Sequence, residues 1–168
     1  MTLPSSRTVF LIVFLGCVVL MCTALFMQYV MHWEPCPLCT LQRVMVITTG
    51  VIALIAFIHH PRVKGIKVYG SLVTLSAVLG GSVSIRHIYL QHLPPDQVPA
   101  CGPGLDYLIH VFSLFEVLKL LLVGDGTCAT ILWSFLGLSI PGWVLVAFVG
   151  LAAIGIFQVV RPSHQAPA

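Results

Sequence analysis

The sequence predicts an all-α integral membrane protein, a bundle of four transmembrane helices, and composition, apolar runs and charge distribution lead to this expectation. Of the 168 residues, 58% are apolar and only 8% are charged, whereas an ordinary soluble domain carries about 25% charged residues. A hydrocarbon core ~30 Å thick takes about 20 helical residues to cross, so the chain can pass through a bilayer about four times. The composition therefore excludes a soluble globule.

The first predicted span covers residues 9–31, which contain no formally charged side chain. Arg7 precedes this run, as in a signal peptide, and residues 14–17 faintly resemble a lipoprotein cleavage box that ends in Cys17. The apolar run continues well past Cys17, whereas a secretory apolar region stops after about 7 to 15 residues. A transmembrane helix is therefore the better interpretation, with Cys17 and Cys22 as buried apolar side chains within it.

Three further spans follow, at residues 38–58, 68–90 and 143–160. Only Arg43 interrupts the second, and Arg86 and His87 interrupt the third near its end. A short loop at 32–37 joins the first two spans, and a long loop at 91–142 joins the last two. The chain is thus expected to form a single membrane domain.

The long loop contains one apolar stretch, residues 105–123, that is nearly long enough to be a fifth span. It carries Asp106, Glu116 and Lys119, each of which costs roughly 2.5 to 3.5 kcal/mol at the centre of a transmembrane helix. Asp106, His110, Ser113 and Glu116 recur at helical spacing. The sequence therefore predicts a short amphipathic helix that lies on the membrane surface.

The charges predict the orientation of the bundle. Basic residues without a neighbouring acid fall on one side, at Arg7, in the loop that holds Arg62, Lys64 and Lys67, and at Arg161. By the positive-inside rule this side is cytoplasmic, and so are both termini. All five acids fall on the outer side, together with Cys36, Cys39, Cys101 and Cys128. The basic residues form no clustered stripe, so nucleic-acid binding is not expected.

Cys36 and Cys39 form a Cys-x-x-Cys pair directly before the second helix, on the side of the membrane where disulfides persist in bacteria. The pair could act in redox chemistry. It could also bind zinc if Cys101 and Cys128 completed a site of four thiolates. The spacing alone leaves both open, but redox chemistry is favoured because the second pair lacks the short spacing of a zinc ribbon.

Two basic side chains are expected near Cys39. The N-terminus of the second helix points at Cys39, which favours its thiolate, and Arg43 lies one helical turn further on. His87 has a matching outer depth in the third helix. Arg43 could instead extend to the lipid headgroups, and Arg86 and His87 could be ordinary interfacial residues. Together, Cys39, Arg43 and His87 could line one polar notch that a membrane-soluble electron acceptor reaches from the lipid.

These motifs, in this order, resemble the DsbB family of bacterial inner-membrane proteins, over most of the chain. The family pattern commonly has an acid two residues after the fourth cysteine, where this chain has Thr130. The segments that carry the resemblance are Pro35-Cys36-Pro37-Leu38-Cys39 with Arg43, Arg86-His87 with Leu90-Gln91, Pro99-Ala100-Cys101, Gly126-Thr127-Cys128-Ala129, and Trp133 to Leu138 with Pro141 and Trp143.

The resemblance implies a quinone-dependent oxidoreductase that generates protein disulfides in the bacterial inner membrane, with its cysteines on the periplasmic side. A Cys101–Cys128 disulfide would accept electrons from a reduced DsbA-like partner, whose thiolate attacks Cys101. The electrons would pass to Cys36 and Cys39 through a transient Cys36–Cys128 bridge. The acceptor would be ubiquinone or menaquinone beside Cys39, with Arg43 as a quinone-binding residue and His87 as a hydrogen-bond donor to the quinone or part of proton delivery.

Two other functions compete with this one. A protein similar to vitamin K epoxide reductase would use a comparable Cys-x-x-Cys with quinone for the opposite net electron flow, although that family's quinone-proximal pair usually lies late in the bundle. A zinc-binding membrane scaffold would hold one metal ion on the thiolates and exchange no disulfides. A purely structural bundle would leave Arg43 and the outer cysteines unexplained.

Overall fold

Four long helices dominate the computed structural model, which describes residues 4–94, 96–97, 116, 124 and 126–161. Helices α1 (Ser6–Tyr29), α2 (Pro37–His59), α3 (Val63–Gln91) and α4 (Ile140–Val160) are joined by a 3₁₀ turn (Gly126–Ala129) and two short strands, β1 (Ser134–Phe135) and β2 (Leu138–Ser139). Each of the four is long and apolar enough to cross a membrane. The predicted all-α fold class with four membrane helices is confirmed.

The helices begin before the apolar runs do. Helix α3 begins at Val63 rather than at residue 68 because its first turns hold Lys64 and Lys67, whose exposed side chains can extend away from the apolar surface. Helix α4 begins at Ile140 and carries Pro141 in its first turn, where a missing N–H costs no hydrogen bond. Charge and proline mark the edge of an apolar run, but they do not end a helix.

The helices pack in chain order. Helix α1 packs on α2, α2 on α3 and α3 on α4, whereas α1 meets α4 at only a few positions. One core cluster runs through this stack, and its members from successive helices include Phe10, Val13, Cys17, Val46, Ala53, Val73, Ala77, Phe148 and Leu151. Cys17 is buried as expected, but Cys22 is exposed because it lies on the outer face of α1.

Small residues allow α3 and α4 to approach closely. A Cβ atom on Gly155 would lie 2.9 Å from the main-chain oxygen of Gly70 and 3.0 Å from the main-chain nitrogen of Thr74. A Cβ atom on Gly80 would penetrate the ring of Phe148, at 2.3 Å from Cζ. Close backbone contact at small residues is a common way for helices to associate in a membrane, so these glycines fix the α3–α4 pair.

The two ends of the bundle differ in charge. Arg7 at the start of α1, Arg62 and Lys64 at the start of α3, and Arg161 after α4 share one end. There Arg161 Nη1 donates to Ser6 Oγ at 3.4 Å, and Gln158 Nε2 donates to the main-chain oxygen of Ser6 at 3.4 Å. The opposite end holds the start of α2 and the end of α3, and the cysteine pair lies there.

The segment between α3 and α4 is described in part. The predicted surface helix at 105–123 lies outside the described residues, except that Glu116 is helical and exposed.

Strands β1 and β2 form a hairpin, pairing antiparallel around Leu136 and Gly137. Both residues have a positive φ, 52° and 80°, as a tight hairpin turn requires. The sequence analysis did not predict this hairpin. Trp143 Nε1 anchors it by donating to the main-chain oxygen of Phe135 at 3.2 Å.

Candidate functional site

The first turn of α2 brings the two thiols of the Cys-x-x-Cys pair together. Cys36 is the N-cap of α2, and its Sγ accepts a hydrogen bond from the main-chain nitrogen of Cys39 at 3.4 Å. Pro37 in the first turn suits this start because its ring presets a helical backbone angle. The Cys36 thiol donates to Cys39 Sγ at 3.1 Å. Both sulfurs thus lie at the positive end of the helix dipole, which stabilises negative charge there.

A third cysteine joins this pair from the segment between α3 and α4. Cys128 is fully buried on the 3₁₀ turn, packed with Cys36, Leu38 and Leu90. Its Sγ, Cys36 Sγ and a ring nitrogen of His87 all lie within 4.8 Å of one another. The structure therefore places together Cys36, Cys39 and Cys128, three of the four cysteines selected from the sequence; Cys101 lies outside the described residues.

Gly124 sets how closely the chain before Cys128 approaches the helices. Its φ of +75° lies in the left-handed region, and a Cβ atom there would come within 2.5 Å of Leu90 Cδ1 and 3.3 Å of Leu38 Cδ1. A side chain is therefore excluded by both backbone conformation and space. Glycine at this position lets the main chain approach Leu38 of α2 and Leu90 of α3 next to the Cys128 thiol.

His87 faces the thiols from α3. It is 3% exposed, and its Nε2 lies 3.7 Å from Cys36 Sγ. Its Nδ1 has no hydrogen-bond partner among the described residues. Arg86, by contrast, places its guanidinium 5.4 Å from the ring centre of Tyr89. Of the two adjacent basic residues, His87 is thus the one that contacts Cys36.

The environment of Cys36 favours its protonated form. The hydrogen bond with Cys128, the hydrogen bond that Cys36 donates to Cys39, and burial all raise the pKa of the Cys36 thiol. A donated S–H retains its proton because the neighbouring Cys39 sulfur accepts it. The same hydrogen bond stabilises negative charge on Cys39, which accepts it. It thus favours the thiol form of Cys36 and the thiolate form of Cys39.

Cys39 also opens onto a cavity that we call the α1–α2 pocket. It encloses about 710 Å³ of empty space, its open mouth included. Its walls are mostly apolar, and its polar side chains come from two consecutive turns of α2 and from residue 34. The residues that line this pocket include Leu20, Met21, Ala24, Trp33, Cys39, Gln42, Arg43, Ile140 and Val144.

Arg43 joins α2 to α1 beside this pocket. Its Nη2 donates to the main-chain oxygen of Ala24 at 3.1 Å, and its Nη1 donates to Oε1 of Gln28. The guanidinium therefore binds α1 and does not extend to a lipid headgroup. These contacts offset the cost of placing a cation in an apolar helix.

Gln42 is the other polar side chain that α2 contributes to the wall. It is 4% exposed, and its Nε2 has no hydrogen-bond partner among the described residues. An unpaired buried donor costs roughly 1 to 3 kcal/mol. Gln42 and Gln28 were not selected from the sequence, although an amide within an apolar span was a visible signal in both cases.

His87 and Arg43 lie on different cavities. A second pocket of about 790 Å³ is lined by Cys36, Cys39, His87, Gln91 and Thr127, among others, but not by Arg43. It shares Trp33, Glu34, Cys39, Leu132 and Ile140 with the α1–α2 pocket. The residues predicted to line one notch therefore line two adjoining pockets, and Cys39 lines both.

The arrangement suits thiol–disulfide exchange. Such exchange needs an attacking thiolate close to a sulfur of another pair, and the sulfurs of both Cys39 and Cys128 lie close to that of Cys36. The same donors, two cysteines and a histidine, are also ones that zinc accepts. The described geometry thus permits both chemistries that the sequence left open.

Comparison with known proteins decides the family. The family described as "Disulfide bond formation protein DsbB" matches residues 6–158. Proteins named disulfide bond formation protein B are similar over nearly their whole length. The one from Saccharophagus degradans is 58% identical over 161 residues, which cover 96% of this chain and 97% of the relative. The one from Methylococcus capsulatus is 51% identical over 158 residues, or 94% and 96%. The chain is therefore a multi-pass membrane member of the DsbB family, an oxidoreductase family that acts in disulfide bond formation.

Proposed function

We propose that this protein reoxidises a periplasmic DsbA-like dithiol protein by disulfide exchange and passes the electrons to a membrane quinone. Family membership supports the disulfide chemistry and favours it over the function of a protein similar to vitamin K epoxide reductase. The observation that carries the proposal is the position of Cys36, whose Sγ lies 3.1 Å from Cys39 Sγ and within 4.8 Å of Cys128 Sγ. Cys39 in turn lines an apolar pocket.

The cysteines form a relay in which electrons balance at each exchange. A partner thiolate attacks Cys101 of a Cys101–Cys128 disulfide, and the second partner thiol displaces it, which leaves the partner oxidised and both cysteines reduced. Cys128 then attacks Cys36 of a Cys36–Cys39 disulfide and releases Cys39 as a thiolate. Cys101 attacks Cys128 in the resulting Cys36–Cys128 bridge and restores the Cys101–Cys128 disulfide.

After these steps Cys36 and Cys39 hold the two electrons. They re-form their disulfide when they give up two electrons and the proton held at Cys36, and a second proton comes from solution. A bound quinone supplies the acceptor for the electrons and both protons, so the protein has no need to store single electrons. The raised pKa of the Cys36 thiol keeps a proton at Cys36 while Cys39 carries the charge.

The α1–α2 pocket has the features that a quinone site needs. Its apolar walls suit an aromatic ring and an isoprenoid tail. Cys39 reaches the cavity from the first turn of α2, and Arg43 reaches it from the next. The buried, unpaired Nε2 of Gln42 adds a donor that fits a carbonyl oxygen. These residues are therefore able to hold either ubiquinone or menaquinone.

We assign different roles to the two basic residues. Arg43 supplies positive charge beside Cys39 and stabilises the thiolate there, and this charge acts strongly because the pocket is apolar. His87 contacts Cys36 at 3.7 Å, so it serves as the proton carrier at that thiol. A quinone contact through His87 is not part of this proposal, since His87 does not line the α1–α2 pocket.

The proposed topology places both termini in the cytoplasm and the thiols in the periplasm. The basic residues at the end opposite the cysteines support this orientation through the positive-inside rule. The location that follows is the bacterial inner membrane, where periplasmic partners and membrane quinones are both within reach.

The direct test is anaerobic mixing of the purified protein with a short-chain ubiquinone and a reduced DsbA-like protein. Quinone absorbance and partner thiols are followed together. Equal loss of quinone and of thiol pairs is expected. Partner oxidation without quinone loss would contradict the quinone step, and no change in either would contradict the whole proposal.

Zinc binding is the second candidate, and the grouping of Cys36, His87 and Cys128 within 4.8 Å favours it. Among the described residues this donor set is two thiolates and an imidazole, whereas the site expected from the sequence has four thiolates and includes Cys101. One tightly held zinc ion per chain, together with no disulfide exchange, would support the scaffold. A metal-free protein that exchanges disulfides would exclude it.

A further inference from the structure

We propose that Gln42 binds the quinone, and that its side-chain Nε2 donates a hydrogen bond to a quinone carbonyl oxygen. This inference rests on the proposed function, because it names an additional residue for the same pocket. In this proposal Gln42 recognises the carbonyl oxygen of the quinone, a role distinct from those of the Cys39 thiol and the Arg43 cation.

The first argument is position. Cys39, Gln42 and Arg43 stand three and four residues apart on α2, a spacing that places them on one helical face. All three line the α1–α2 pocket. Gln42 thus lines the same cavity as the sulfur that would release electrons and the arginine that would stabilise charge.

The second argument is the unpaired donor. Gln42 is 4% exposed, and its Nε2 lacks a hydrogen-bond partner among the described residues. Buried polar groups are nearly always paired. Thr49 in the same helix shows the usual solution, since its hydroxyl bonds Met45 and Ser76 at 2.8 Å each. A ligand with a carbonyl oxygen would satisfy the amide of Gln42.

The third argument is what else the pocket offers. Two of the Arg43 nitrogens already donate to α1, to Ala24 and to Gln28. The remaining walls are mostly apolar. Gln42 is thus a neutral donor that is not yet engaged, and a neutral donor suits the uncharged carbonyl of an oxidised quinone.

The test measures quinone binding rather than turnover. Titration of the purified wild-type protein with a short-chain ubiquinone, followed by the fluorescence of Trp33 and the other tryptophans, gives the Kd. Gln42→Met preserves the length and removes the donor. We expect its Kd to rise roughly five-fold, the loss of one neutral hydrogen bond. In infrared difference spectra, one quinone carbonyl stretch should move to higher wavenumber in the variant.

Gln158→Met is the matched control. Gln158 is also a buried amide with an unpaired atom, at the opposite end of the bundle, and its replacement should leave the Kd and the carbonyl stretch unchanged. Equal effects of both variants would mean that Gln42 acts only through packing, and this would overturn the inference.

A measurement on the wild-type chain keeps the test independent of variant folding. With ¹⁵N-labelled glutamine, the side-chain amide resonance of Gln42 should shift when the quinone is added, and that of Gln158 should not. A wild-type protein that binds no quinone would contradict the proposed function. One that binds quinone with no response at Gln42 would contradict this inference alone.

Discussion

Arg43 Nη2 donates a hydrogen bond to the main-chain oxygen of Ala24 at 3.1 Å, and this contact links the helix that carries the cysteine pair to α1. The link matters because the α1–α2 pocket lies between these two helices. Arg43 therefore attaches one pocket wall to the other, in addition to the proposed role of its charge beside Cys39.

Arg43→Met should weaken quinone use more than it weakens folding. The variant loses the charge in the pocket and two charge-assisted hydrogen bonds, so the KM for a short-chain quinone should rise by about ten-fold or more, with a free energy of unfolding lower by roughly 1 to 3 kcal/mol. Gln28→Met is the control, because it removes one acceptor and keeps the cation. A similar KM in both variants would show that the KM depends on the attachment of Arg43 to α1 and not on its charge.

Cys39→Ser should separate the two halves of the relay. Without this thiol the chain cannot form the Cys36–Cys39 disulfide, so quinone reduction should stop while Cys101 still traps a partner as a mixed disulfide. Quinone absorbance and non-reducing gels measure the two outcomes. Cys22→Ser, on the exposed face of α1, should change neither. Retained quinone turnover in Cys39→Ser would contradict the assignment.

The Cys36 thiol should resist ionisation. Its pKa is raised above the ordinary value of 9.0, so in the reduced protein it should stay protonated where a typical cysteine is half ionised. The pH midpoint for alkylation of Cys36, measured by mass spectrometry, should therefore lie above 9.0. Cys128→Ala removes the largest cause of the shift and should lower the midpoint. A wild-type midpoint at or below 9.0 would contradict this account.

Gly155→Ala should destabilise the α3–α4 pair. The added methyl group would lie 2.9 Å from the oxygen of Gly70 and 3.0 Å from the nitrogen of Thr74, and main-chain atoms cannot move aside without shifting a helix. We expect a loss of about 1 to 3 kcal/mol, measured as a lower midpoint of denaturation in detergent. Gly150→Ala in the same helix meets nothing within 4 Å and should have little effect. Equal stability of the two variants would contradict close packing.

The sequence predicts the four helices because apolar length alone specifies a membrane helix. It does not predict their exact starts, since Lys64 and Pro141 are tolerated in first turns. The hairpin at Leu136 and Gly137 was missed because a two-residue strand has too few positions to show alternation.

The candidate site is predictable where its residues are local in sequence. Cys36, Cys39 and Arg43 follow one another on the start of α2, so helical spacing alone relates them. The approach of Cys128 and His87 to Cys36 depends on how separate segments pack, and so does the bond between Arg43 and α1. No pattern within one helix contains that information, and the predicted notch therefore became two pockets.

The sparse contact between α1 and α4 has a consequence for how a ligand is supplied. Helix α1 meets α4 at only a few positions, and the hydrogen bonds between them lie at Ser6, at the end of the bundle opposite the cysteines. Residues of α1, α2 and the first turns of α4 line the α1–α2 pocket. The pocket therefore lies where few contacts join α1 to α4. A molecule dissolved in the hydrocarbon can reach it sideways without separating packed helices. The concentration that determines binding is then that of the ligand within the bilayer. The turnover rate should therefore depend on the amount of ligand in the membrane and not on the amount dissolved in water.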